Sequence, residues 1–200
     1  MAKNTNYIYL FIDGSNLYAG QYELFGPNKY LNFSKFIKQI EKNLKINFDR
    51  IYFYASYSPQ PKKPTRKQKF YLKNEALFYK SVRQTENLVF FKGYRSKISG
   101  KEKEVDVKLA VDIVDFAHRN YYQHGYLLSG DADFMEALHA VRRLRIKVSV
   151  VCIENKLMIK SLLFYPMYAI TFTKGIRKLK KIRNLPIIVR LNKKEVIEFV

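Results

Sequence analysis

With 200 residues, 48% of them hydrophobic and 16% aromatic, the chain is long enough for one domain with a sizeable core and is not a disordered basic tail. No apolar run approaches the ~18–20 residues of a membrane span, and the polar start followed by only a short apolar stretch makes a signal peptide unexpected. Lys and Arg number 37 against 17 Asp and Glu, a formal charge of +20, which points to a cytoplasmic protein with a polyanionic partner, nucleic acid ahead of an anionic membrane surface.

Residues 7–12 form a continuous β-branched and aromatic run, as in a strand buried on both faces. Asp13-Gly-Ser-Asn16 then reads as a turn. Apolar positions Phe33, Phe36, Ile37, Ile40 and Leu44 follow helical spacing, with Asn32 or Ser34 placed to cap the start. A second strand follows at 50–55, then an exposed loop rich in Pro and Lys at 57–68, a helix at 67–83 and a third strand at 88–91. A polar, basic loop spans 92–103. The strongest amphipathic pattern lies at 105–118, followed by a strand at 126–129, a helix at 134–144 and a strand at 147–153. Such alternation predicts an α/β fold around a mainly parallel sheet with right-handed crossovers. Beyond residue 155 a short helix at 156–163 and a strand at 168–172 are expected. The tail, 174–200, holds nine basic and two acidic residues and gives no clear pattern. Residues 1–173 are therefore expected to form the domain and 174–200 a basic extension.

The acids are scarcer than the bases and say more. Of seven aspartates, six fall in three short segments: Asp13; Asp106, Asp112 and Asp115; Asp131 and Asp133. Asp49 stands apart. In an open parallel sheet, sites form at the carboxyl ends of the strands where strand order reverses. Asp13 follows the first strand and Asp131 follows the fourth. In a 3-2-1-4-5 order these strands are neighbours, and Asp106 begins a helix on the same side. Carboxylates so gathered repel unless protonated or neutralised by a cation. Oxygen ligands without nearby His or Cys favour Mg²⁺ or Mn²⁺ over zinc. In a basic protein such a site suits phosphodiester hydrolysis by a metal-activated water.

Three segments carry a family resemblance. Phe11-Ile-Asp-Gly-Ser-Asn-Leu-Tyr18, Lys103-Glu-Val-Asp-Val-Lys-Leu-Ala-Val-Asp112 and Leu128-Ser-Gly-Asp-Ala-Asp-Phe134 resemble the signatures of the NYN-domain family, LabA-like members of the PIN-like nuclease superfamily. The resemblance covers roughly residues 6–172. It implies a PIN-like, Rossmannoid three-layer fold and metal-dependent cleavage of RNA, single-stranded or structured. The family's acidic metal positions map onto Asp13, Asp106, Asp131 and Asp133. Asn16 matches a polar residue that orients water or meets phosphate and joins the catalytic set. Asp112 matches a recurrent position, here expected to act in support, as is Ser129. The chain departs from the pattern where relatives carry an acid before the last strand. Here that stretch reads Leu163-Phe-Tyr-Pro-Met-Tyr168.

Each feature has a plainer explanation beside it. Asp13, Asp106, Asp131 and Asp133 could be helix or turn caps; their joint presence favours a site. His118, His124 and His139 share no ligand spacing and are assigned to helix surfaces or a turn. Cys152, the only cysteine, permits no disulfide or cysteine-based zinc site within one chain and suits a strand core. Tyr18 and Tyr22 are candidate base-stacking platforms. Residues 57–73 hold six basic side chains and no acid, so Lys62, Lys63, Arg66, Lys67 and Lys69, with Lys103, are candidate backbone-gripping residues. The alternative function is an RNA-binding PIN-like module with little or no catalysis. A haloacid-dehalogenase-type phosphatase is rejected, because it needs an aspartate where this chain has Ser15. Oligomeric state, a homo-oligomer included, stays open.

Overall fold

The computed structural model describes residues 6–26, 29–95, 102–153, 187–189 and 196–198. The chain runs β1 (Ile8–Asp13), α1 (Gly14–Phe25), β2 (Lys29–Leu31), α2 (Phe33–Leu44), β3 (Arg50–Ala55), α3 (Arg66–Arg83) and β4 (Leu88–Lys92). It continues through β5 (Tyr94–Arg95), β6 (Glu102–Lys103), α4 (Val105–His118), β7 (His124–Leu128), a 3-10 turn (Ala132–Phe134), α5 (Met135–Arg143), β8 (Lys147–Ile153), β9 (Ile187–Val189) and β10 (Val196–Glu198). Six strands form one sheet in the order β4-β3-β1-β7-β8-β9, and every pairing within it is parallel. The expected 3-2-1-4-5 order is its first five strands.

The apolar run of β1 is explained by what lies on either side. Leu10 and Ile12 join a core with Phe33 and Phe36 of α2, Phe53 of β3 and Phe78 of α3. Phe11 points the other way, into a second core with Leu109 and Ile113 of α4 and Leu138 and Val141 of α5. Helices thus cover both faces, giving three layers, and a strand buried twice loses the polar alternation of a half-exposed one. Asp49, the aspartate outside the three segments, accepts the Ile8 amide at 2.7 Å and fixes the entry to β1.

Two sequence expectations need correcting. The predicted turn at 13–16 is the start of α1, with Asp13 as its N-cap accepting the Asn16 amide at 3.0 Å. The turn-like residues are the helix's first turn, because the side chains that close turns also cap helices. Tyr18 is not a stacking platform: it is 2% exposed, packs against Phe78 and Tyr71, and donates its hydroxyl to the Tyr71 carbonyl at 3.0 Å. Tyr22 is half-buried and set edge-on to Tyr71. The short strands β2, β5, β6 and β10 have no sequence signature; β2 pairs antiparallel with β10, and β5 with β6. The helix expected at 156–163 and the strand at 168–172 lie outside the described residues. Of the tail, β9 lengthens the main sheet along β8 and β10 joins β2. No helix among the described residues is long and apolar enough to cross a membrane.

Candidate active site

Crossovers through α1, β2, α2 and α3 carry the chain from β1 outward to β4; α4 then returns it across the other face to β7. Strand order therefore reverses between β1 and β7, which are hydrogen-bonded neighbours, and in open parallel sheets sites form at the carboxyl ends of such a pair. Asp13 is the last residue of β1, and Ser129 is the first past β7. Although 116 positions apart in sequence, they touch: the Ser129 hydroxyl donates to Asp13 Oδ2 at 3.0 Å. The same Ser129 oxygen accepts the Asp131 amide at 3.0 Å, and Asp131 Oδ1 accepts the Asp133 amide at 2.9 Å. Asn16 Oδ1 takes the Gly130 amide at 3.1 Å, tying the first turn of α1 to the loop after β7. The loop is thus held at two points against the end of β1 and the start of α1, and braced by two bonds of its own.

Asp13 is 5% exposed. Burial pushes its carboxyl up to about 6, against the pull of the Asn16 amide and the Ser129 hydroxyl, and the charges of Asp106 and Asp131 raise it further. Hydrogen bonds join the first and third predicted segments, and Asp106 of the second is near enough for its charge to be felt at Asp13. Asp106 is exposed in the first turn of α4. The N-cap position predicted for it is taken by Glu104, which has φ 71° and no capping bond from its side chain. Tyr94 donates to Glu104 Oε1 at 2.9 Å, so the β5–β6 pair steers the chain into α4 and sets Asp106 at its mouth. Asp131 is half-buried and Asp133 exposed. Neither caps α5, whose N-cap is Phe134; Asp131 instead holds the start of the 3-10 turn through the Asp133 amide. Among the described residues no three His, Cys, Asp or Glu side chains lie close enough together, as they stand, to hold a metal ion.

Asp112 stands apart from this group. It is 7% exposed and accepts from the Tyr54 hydroxyl at 2.8 Å and from the Lys108 ammonium. Tyr54 lies opposite Asp13 in the β1–β3 register, so Asp112 braces the strand beside the site and tethers α4 to it. Burial first, then the bond to Asp112, holds the Tyr54 hydroxyl well above its ordinary range. Tyr54→Phe would leave the buried carboxylate short of a donor. The expected loss is about 1–3 kcal/mol, visible in thermal melting as a fall of several degrees. Lys108 stands four residues before Asp112 on the same helix, a readable spacing, whereas Tyr54, 58 positions away, carries no mark of the pairing.

Lys62, Lys63, Arg66, Lys67 and Lys69 are all exposed, in the loop before α3 and its first turn, where Thr65 and Gln68 form a capping box. Lys103 ends β6. Among the histidines, His118 and His139 are exposed helix residues, while His124 lies on β7, stacked on Tyr126 at 4.2 Å and bonded to Ser149 Oγ at 2.9 Å. Its burial, with Lys147 nearby, lowers its pKa.

The family model for the NYN domain matches residues 7–171. The chain belongs to the NYN family. That family lies within the PIN-like nuclease superfamily, and the matched stretch includes all three predicted segments. No match was found among curated proteins. A crystal structure of a protein of unknown function from Vibrio parahaemolyticus is similar in fold, with a TM-score of 0.60 at 16% identity over 98% of this chain and 99% of that one.

Proposed function

We propose that this NYN domain is a divalent-metal-dependent ribonuclease, with Asp13, Asp106 and Asp131 holding Mg²⁺ or Mn²⁺ and Asp133 adding a fourth carboxylate. The observation that carries this is the buried Asp13 carboxyl, raised to about 6 by burial and by its two acidic neighbours. Such a group holds a proton below about pH 6 and above it carries a buried charge that a cation would offset. The donor set is all oxygen, as Mg²⁺ and Mn²⁺ prefer, and an open arrangement suits ions that keep several waters and share substrate phosphates. When bound, the ion would lower the pKa of a water and offset charge on the phosphate oxygens.

The chain's own residues supply the rest. Ser129 and the Asn16 amide fix both oxygens of Asp13. Asn16 commits its side-chain oxygen to Gly130, so its NH₂ is what it offers a phosphate. Lys62, Lys63, Arg66, Lys67, Lys69 and Lys103 would grip the RNA backbone, a sequence-independent contact. The three motifs support the LabA-like placement, and a polar chain with this charge fits work in the cytoplasm.

End-labelled single- and double-stranded RNA and DNA, incubated first with Mn²⁺ and then with EDTA, test this. Cleavage of RNA that stops with EDTA is expected. RNA binding with no cleavage across varied RNAs would replace the proposal with an RNA-binding PIN-like module.

A further inference from the structure

Helix α3 is unbalanced in charge. It carries Arg66, Lys67, Lys69, Lys73, Lys80 and Arg83 against one acid, Glu75. Glu75 is 3% exposed and committed to Ser58, whose amide and hydroxyl donate to it at 2.8 and 2.7 Å. The helix therefore presents no exposed negative charge. Spacings of three, four, seven and three place Arg66, Lys69, Lys73, Lys80 and Arg83 on one face, all exposed, in a line about 25 Å long at the helical rise.

The line ends on aromatic rings. The Arg83 guanidinium lies 4.6 Å from the centre of Phe90 and 5.8 Å from that of Tyr57, and the Lys92 ammonium lies 5.2 Å from Tyr57. These rings are held firmly: Phe90 stacks on Phe53 at 5.2 Å, and Tyr57 meets Tyr79 edge-on at 5.1 Å. Both are half-buried. The patch sits on β4, the outer strand of the sheet. Lys92 lies opposite Ala55, one position beyond the level of Tyr54 and Asp13, so two strand spacings, about 10 Å, separate it from the candidate active site.

A structural cation–aromatic staple between α3 and β4 would account for Arg83. It does not account for Lys92 over the second ring or for a helix face stripped of acid. A polyanion with flat, unpaired bases accounts for all three: phosphates follow the charged line, and a base stacks on the guanidinium and ring. We infer that this surface is a track for single-stranded RNA, with α3 holding the backbone and Tyr57, Arg83 and Phe90 seating a base on the way to Asp13. The inference rests on the RNA reading proposed above and names the form of RNA.

Fluorescence anisotropy, in EDTA to prevent cleavage, can compare an unpaired RNA oligonucleotide with a duplex RNA of the same length. Tyr57→Leu combined with Arg83→Gln should weaken single-strand binding roughly tenfold and duplex binding only about two- to threefold, the share of one lost phosphate contact, because paired bases cannot stack on the patch. Lys69→Gln with Lys73→Gln should weaken both and flatten the salt dependence. Thermal melting checks folding. If the first variant does not fold, Lys92→Gln, at an exposed position, should still lower single-strand affinity about threefold relative to duplex. Equal losses for the two RNAs, or none, would overturn the track while leaving the nuclease proposal standing. Failure of the wild type to bind RNA would overturn both. A variant that instead loses binding to a second copy of the chain, with RNA affinity intact, would assign the open edge of β4 to protein pairing and end the proposal.

Discussion

Asp13→Asn is expected to reduce RNA cleavage by roughly 10³-fold or more, since the several kcal/mol a metal site supplies corresponds to at least that factor. The side chain keeps its shape, and its oxygen can still accept the Asn16 amide that caps α1. RNA binding by the exposed cations of α3 and its preceding loop should change little. Single-turnover cleavage of labelled RNA with saturating Mn²⁺, alongside binding in EDTA, separates the two effects. Wild-type cleavage by the variant would sink the mechanism.

The same substitution should alter stability in the opposite sense. The Asp13 carboxyl moves from 3.8 to about 6 on folding. Between those values the folded state holds a proton that the unfolded chain has released, so stability declines as pH rises through about 4 to 6. Above that window the buried charge costs about 3 kcal/mol without a cation. Asp13→Asn removes that cost, so in EDTA at pH 7.5 it should melt several degrees above wild type. Mn²⁺ should raise the melting temperature of wild type and not of the variant. At subsaturating Mn²⁺, wild-type cleavage should climb as pH passes through about 6, because proton and cation compete for one carboxylate.

Much of this was legible because burial on both faces leaves a plain mark. The strands at 50–55 and 147–153 and the helix at 105–118 coincide with β3, β8 and α4, each a long run whose pattern is set by the core it faces. The 13–16 stretch was misread for a chemical reason: Gly, Ser and Asn favour turns and helix starts alike, and only the tertiary environment decides. Missing α1 in turn left Tyr18 looking exposed. The short strands β2, β5, β6 and β10 exist through their partners, so no local pattern announces them. At the site, Asp13 and Asp131 were visible as strand-end acids. The hydrogen bond that joins Ser129 to Asp13 spans 116 positions and follows only from β1 and β7 being neighbours. The cation–aromatic patch on β4 was invisible because Arg83 and Phe90 meet across a helix–strand contact that residue spacing does not encode.

Gly14→Ala is expected to be the most damaging small change at the site, though Ala favours a helix over Gly. A Cβ there would stand 2.2 and 2.5 Å from two ring carbons of Phe53 and 2.8 Å from the Tyr54 carbonyl oxygen. The carbonyl belongs to a strand paired with β1 and cannot withdraw without breaking the sheet. The Phe53 ring has no room to yield: it is fully buried, edge-on to Phe33 and Phe78 and stacked on Phe90. Overpacking against such neighbours costs about 3 kcal/mol, a fall in melting temperature of roughly 6–12 °C for a chain of this size. Because Gly14 is the first residue of α1, the strain would also move the Asp13 cap away from Ser129, and cleavage should fall with stability. Gly26→Ala separates steric from backbone effects. Gly26 has φ 75° and ψ −171° with nothing within 4 Å of an added Cβ, so only conformational strain, about 1–3 kcal/mol, applies there. A Gly14→Ala protein that melts no lower than the Gly26→Ala protein would show that the β1–α1 junction has slack, and that Asp13 is not held by the close contact between α1 and β3.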